Sequence, residues 1–169
     1  CWSDKRSWRL QPSFNGGQSG AGSDFYPQET AMGVGLAARY ALAVGDMLYW
    51  LSYDGIKASR GDAVEDITTE ALAPLFHHDG TTTAFSAPVS PISFSTSDED
   101  EHSLLYSFDG LYFTYKGVDG NRYTFYYSFM TRGWVLDTTS PSYINRSSRE
   151  LRTADADNVL VGRGDGRLL

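Results

Sequence analysis

The sequence predicts an all-β fold built of antiparallel meanders, and three observations carry that expectation. Eleven tyrosines, nine phenylalanines and four tryptophans stand among seventeen glycines, the mixture of pleat-filling and turn-forming residues that strands and tight turns require. Short apolar runs are closed by Asp-Gly, a hairpin dipeptide, at Asp54-Gly55, Asp109-Gly110 and Asp165-Gly166. Along Arg122 to Phe129, Tyr123, Phe125 and Tyr127 alternate with Thr124, Tyr126 and Ser128. A period of two gives one aromatic face and one mixed face.

The elements follow in order. Residues 1–31 read as a partial strand around Trp2 and Trp8, followed by a flexible loop over residues 15–24, where four glycines and two serines leave too little side chain to pack. From Met32 to Val44 the residues are small and apolar, and Gly33 and Gly35 favour strand over helix. Met47 to Ser52, the Asp54-Gly55 turn and Ile56 to Ser59 read as a hairpin. One short helix is expected next, capped by Thr68, stapled by Ile67 to Leu72 and stopped by Pro74. These elements make one unit over residues 32–95. A second unit, over residues 96–140, is a meander of four runs: Ser103 to Phe108, Leu111 to Tyr115, Arg122 to Phe129, and Gly133 to Leu136. Residues 141–169 begin a further unit that the chain end interrupts.

The three Asp-Gly pairs recur at steps of 55 and 56 residues, each after an apolar run, and Asp46 aligns with Asp157 when residues 45–56 are laid on 156–167. A meander of that size cannot bury both its faces alone. Radial stacking of such sheets is the β-propeller solution, so the units read as propeller blades. A β-sandwich is the alternative, since it also uses short strands with regular turns. The start at Cys1 and the stop just after Asp165-Gly166 suggest a segment of a longer polypeptide. Trp50, Phe113, Phe125 and Trp134 each lie within an apolar run bounded by turns, which makes them expected core or blade-interface residues.

Leu48 to Ile56, Asp66-Ile67-Thr68, Leu72 to Phe76, Gly110 to Phe113, Tyr126-Tyr127 and Gly133 to Asp137 together form a pattern that resembles propeller proteins of short-tailed bacteriophages, of the tail nozzle or tail tubular type. The resemblance spans residues 32–137. It implies a structural virion protein lining or extending the tail channel. Together with the net charge of −7 it predicts only weak contact with passing DNA, and sticky blade edges predict assembly as a homo-oligomer, with other virion subunits or with the rest of its own chain. Tyr126 to Trp134 is also similar to a kelch-like blade ending, although Lys116-Gly117 stands where a kelch strand opens with paired glycines.

Composition narrows the function classes further. Fourteen basic against twenty-one acidic residues give a net charge of −7 and a pI of 4.8, opposite in sign to a surface that wraps nucleic acid. No run of about 18 apolar residues provides a helical membrane span. The lone Cys1 offers neither an internal disulfide nor a Cys-rich zinc site. No nucleophile elbow, phosphate-binding loop or paired-histidine zinc motif occurs, so neither catalysis nor a cofactor is expected. His77-His78-Asp79 and His102 are ligand-type residues without a metal template, and the run Asp98-Glu99-Asp100-Glu101 reads as a solvated turn. Arg163-Gly164-Asp165 spells an integrin-recognition tripeptide, but the repeat's turn already explains it. A carbohydrate-binding or glycoside-hydrolase-like propeller module is the competing function, with aromatic platforms for sugar rings and Asp109, Asp119 and Asp137 as its available carboxylates.

Overall fold

The computed structural model describes the side chains of residues 34–61, 63–77, 81, 85 and 88–137, and in addition the backbone of residues 6–13, 24–32, 145–152 and 157–163. The described residues form twelve strands and two 3-10 helices, giving a mainly β chain. β3 (Leu42–Val44), β4 (Leu48–Ser52), β5 (Gly55–Ser59) and β6 (Val64–Asp66) make one four-stranded sheet. β7 (Ser103–Ser107), β8 (Gly110–Lys116), β9 (Arg122–Ser128) and β10 (Gly133–Asp137) make another. In both, every strand pairs antiparallel with its neighbour in sequence, and both sheets are open. Along the chain a hairpin precedes them, β1 (Arg6–Ser13) with β2 (Asp24–Met32), and another follows, β11 (Asn145–Arg152) with β12 (Asp157–Arg163).

The two Asp-Gly turns have the same local form. Tyr53-Asp54 turns the chain so that Ser52 faces Gly55, and Phe108-Asp109 turns it so that Ser107 faces Gly110. Their ranks differ, however. The first joins the second and third strands of its sheet, whereas the second joins the first and second strands of the other. The 55-residue step therefore links like turns, not like strands, because a tight turn is set by local backbone demands that recur at any hairpin. Asp165 and Gly166 lie outside the described residues, as do Gly164 and the side chain of Arg163.

Register fixes which side chains meet. Tyr49 opposes Ala58 and Leu51 opposes Ile56 on one face of the first sheet. On one face of the second, Leu104, Phe113 and Phe125 line up across three strands, beside Leu111, Tyr127 and Trp134. These two faces share a buried core, in which burying each large side chain contributes about 1.5–3 kcal/mol. Phe113, Phe125 and Trp134 belong to that core. Trp50 is only 2% exposed, but it alternates to the opposite face of β4 from Tyr49 and Leu51.

The connection between the sheets differs from the single helix expected. Pro74 opens a 3-10 helix, Ala73–Phe76, rather than stopping an α-helix, because a proline in the first turn sacrifices no internal hydrogen bond. Thr68 is not a cap: its Oγ1 accepts from the Ile56 N–H at 2.7 Å, and its own N–H donates to Asp66 Oδ1 at 2.8 Å. Leu72, Leu75, Phe76, Val89 and Ile92 then fill the core, and Ile92 bridges to Gly117 just past β8. Of the expected Met32–Val44 strand, Met32 ends β2 and Leu42–Val44 form β3, while residues 34–41 belong to no strand. Ahead of β3, Ala37, Ala38 and Ala41 are buried, with Ala37 N–H donating to Leu51 O and Leu51 N–H donating to Ala41 O.

The acidic run is not merely solvated. Asp98 to Glu101 carries the second 3-10 helix, Glu99–Glu101, and is held from several sides. Lys116 Nζ and Ser93 Oγ donate to Asp98 at 2.7 and 2.6 Å. Arg122 Nε and Nη2 converge on Glu101 Oε2 at 3.1 and 2.6 Å, and Arg39 meets Asp100 at 3.0 Å. Its basic partners lie on strands β8 and β9, or ahead of β3, so no local pattern foretells them.

Candidate functional site

The connecting segment bridges to Gly117 past one end of β8, and the candidate site lies toward the other end, beside Phe108 and Phe129. There a cavity of about 650 Å³ is lined from both sheets. Its inner wall is aromatic. Tyr49, on the core face of β4, stacks with Tyr106 of β7 at 6.0 Å between centroids and 24° between planes, and with Phe129 at 5.7 Å and 29°. Tyr106 and Phe129 meet at 5.5 Å, and Tyr127 meets Phe129 edge-on at 6.0 Å. Gly45 makes this cluster fit: a Cβ there would run into the Tyr106 ring.

The mouth is polar and charged, with Asp46, Arg60, Glu65, Asp66, Phe108 and Arg132 all exposed. The Tyr49 hydroxyl donates to Asp46 Oδ1 at 2.7 Å, while Arg60 lies 3.8 Å from Asp46 Oδ2. Burial, and then the Asp46 carboxylate, push the Tyr49 hydroxyl well above its usual pKa, so it stays a donor. Burial raises Tyr127 as well, with Arg132 opposing and Glu65 reinforcing. Asp66 is already engaged: Lys57, whose side chain is 7% exposed, donates to it at 2.7 Å and to Asp54 at 3.1 Å. Burial alone would lower Lys57 and raise Asp66. The ion pair outweighs it, holding Lys57 above and Asp66 below their ordinary values. Arg132 takes a positive φ of 53° in the turn between β9 and β10, a conformation seldom adopted outside glycine and Asn.

The sequence-predicted carboxylates Asp109, Asp119 and Asp137 do not line this cavity. Asp119 organises the β8–β9 turn, accepting from Asn121 N–H at 3.0 Å, Asn121 Nδ2 at 2.8 Å and the Tyr123 hydroxyl at 2.8 Å. Asp109 takes a hydrogen bond from Tyr126; burial and that contact push the Tyr126 hydroxyl up to about 12. Asp137 ends β10. Asp54 likewise serves its turn and Lys57.

His102 is 1% exposed and fully used. Nε2 donates to Ser93 O at 2.8 Å, and Nδ1 accepts from the Lys116 N–H at 3.4 Å, which together define the neutral tautomer with its proton on Nε2. His77 is exposed, and His78 and Asp79 fall outside the described residues. Among the described residues, no group of three or more His, Cys, Asp or Glu side chains is placed to hold a metal ion, and no helix is long and apolar enough to cross a membrane.

Sequence reasoning singled out neither Tyr49, Tyr106 and Phe129 nor Glu65 and Arg132 as site residues. The available signal was slight: Gly45 beside a loop, and aromatics placed at or just past strand ends. No family model matches the chain, and searches of the curated proteins and of the solved structures return no match.

Proposed function

We propose that this chain is a non-catalytic structural segment of a β-propeller, of the kind that lines or extends the DNA channel in tails of short-tailed phages. The observation that carries the architectural part is the neighbourhood of the first strands. β3 and β7 run beside each other, with Leu104 N–H donating to Tyr40 O at 3.3 Å, and β11 in turn lies along β7. First strands of successive meanders meet in this way when blades stack around an axis. In a Greek-key sandwich, by contrast, the chain crosses between sheets, and here it completes one meander before entering the next.

The tail role rests on the resemblance over residues 32–137 and on the charge. A channel wall with a net charge of −7 does not hold phosphates, which suits a conduit better than a clamp. Among the described residues β6 and β10 are outer edges of their sheets, and such edges favour assembly with other copies of the chain. The carboxylates that the sequence offered to a carbohydrate-active enzyme, Asp109 and Asp119, are engaged in their own turns, which does not favour their use in catalysis.

The test is a titration with labelled duplex DNA at about 0.15 M salt, where a Debye length of roughly 8 Å leaves only close contacts, together with sedimentation of the chain over a range of concentrations. The expected result is no duplex binding tighter than micromolar, with self-association of the chain. Submicromolar duplex affinity, or a chain that stays monomeric at every concentration, overturns the proposal.

A further inference from the structure

We infer that the cavity between the two sheets is a binding site for a neutral saccharide. This goes beyond the channel reading and does not depend on it. The cavity, at about 650 Å³, falls within the range of about 300–1,000 Å³ typical of small-ligand sites.

Three features select the ligand class. The wall offers aromatic surface from Tyr106 and Phe129, both part-exposed, and from Phe108, which is 67% exposed at the mouth. Aromatic surface of this kind matches the C–H faces of a sugar ring. The charges at the mouth are balanced: Lys57 neutralises Asp66, which leaves Asp46 and Glu65 against Arg60 and Arg132. A phosphate would meet Asp46 and Glu65, and a cation would meet the two arginines, so neither sign of ligand is favoured. A neutral polyol uses both kinds of group, donating hydroxyls to the carboxylates and accepting from the guanidiniums. Asp46 is also pre-positioned, because the Tyr49 hydroxyl fixes its Oδ1 at 2.7 Å and so lowers the ordering cost of binding.

The experiment is an NMR titration of the chain with a panel of neutral mono- and oligosaccharides, followed through the aromatic resonances, with inorganic phosphate and spermidine as charged controls. Two variants leave the fold in place. Phe108→Ala removes an exposed ring, and Arg132→Gly removes a guanidinium at a positive φ that glycine adopts freely. The expected result is saturable millimolar binding of at least one neutral saccharide, with shifts at Tyr49, Tyr106 and Phe129. Each variant should weaken that binding about five-fold, in line with one aromatic contact or one charge-assisted hydrogen bond. The inference is overturned by the absence of saturable binding across the panel, by tighter binding of phosphate or spermidine than of any saccharide, or by binding that both variants leave unchanged.

Discussion

The indole Nε1 of Trp134 donates to the carbonyl oxygen of Ile67 at 3.0 Å, tying the last strand of the second sheet to the chain leaving the first. The same ring packs on Tyr127 at 4.9 Å and on Phe113 at 6.3 Å. Trp134→Phe keeps most of the packing and loses the bond, which should cost about 1 kcal/mol. Trp134→Ala should cost about 3–5 kcal/mol. Urea unfolding measures both, and equal losses would show that the hydrogen bond, not the ring, couples the sheets.

The two turn glycines should resist substitution for different reasons. A Cβ on Gly110 would collide with the backbone carbonyl of Tyr127 and with the Tyr126 ring, and a carbonyl held in a sheet cannot step aside. A Cβ on Gly55 would instead meet Thr68 Oγ1 at 2.5 Å, and the φ of 156° there strains any residue with a side chain. Gly110→Ala should therefore destabilise by about 2–3 kcal/mol, at the upper end for overpacking, and Gly55→Ala through backbone strain as well as through the contact. In a double-mutant cycle, Thr68→Ala should relieve only the contact part of the Gly55→Ala penalty and leave the strain. A strictly additive cycle would contradict the contact.

Stability should decline in two stages on acidification. Burial holds His102 below its ordinary value of 6.5, against the opposing bond to Ser93. The folded state thus binds fewer protons at this site than the unfolded one, and the stabilisation is complete above pH 6.5 and erodes as pH falls below it. Asp98, held low first by Lys116 and then by Ser93, and Asp66, whose ion pair with Lys57 outweighs its burial, contribute stability that is present above 3.8 and lost as pH falls further. Thermal unfolding between pH 8 and pH 3 reads both stages. His102→Gln should flatten the upper stage alone.

The acidic run should behave as a brace. Asp98→Asn keeps the shape but weakens the bonds from Lys116 and Ser93. It should raise amide exchange across residues 95–102 while leaving the β4–β5 hairpin protected. Uniform exchange changes along the whole chain would show that the run acts only through net charge.

How far the sequence reaches is visible in particular residues. Asp54-Gly55 and Asp109-Gly110 are legible as hairpins, and Tyr123, Phe125 and Tyr127 as one face of a strand, because turn chemistry and the period of two act over a few residues. Their apolar runs bounded by turns likewise mark Phe113 and Phe125 for burial. Sequence did not distinguish the rank of a hairpin within its sheet, since the same two-residue turn serves β4–β5 and β7–β8. Nor did it show that Pro74 begins a helix, that Lys116 and Arg122 neutralise Asp98 and Glu101, or that Asp46, Tyr49, Tyr106, Phe129 and Arg132 converge on one cavity. Those facts depend on how the two sheets pack. Side chains separated by tens of residues are brought together there by burial of a shared apolar face, a force that is non-directional and proportional to area, and so leaves no local spacing to read.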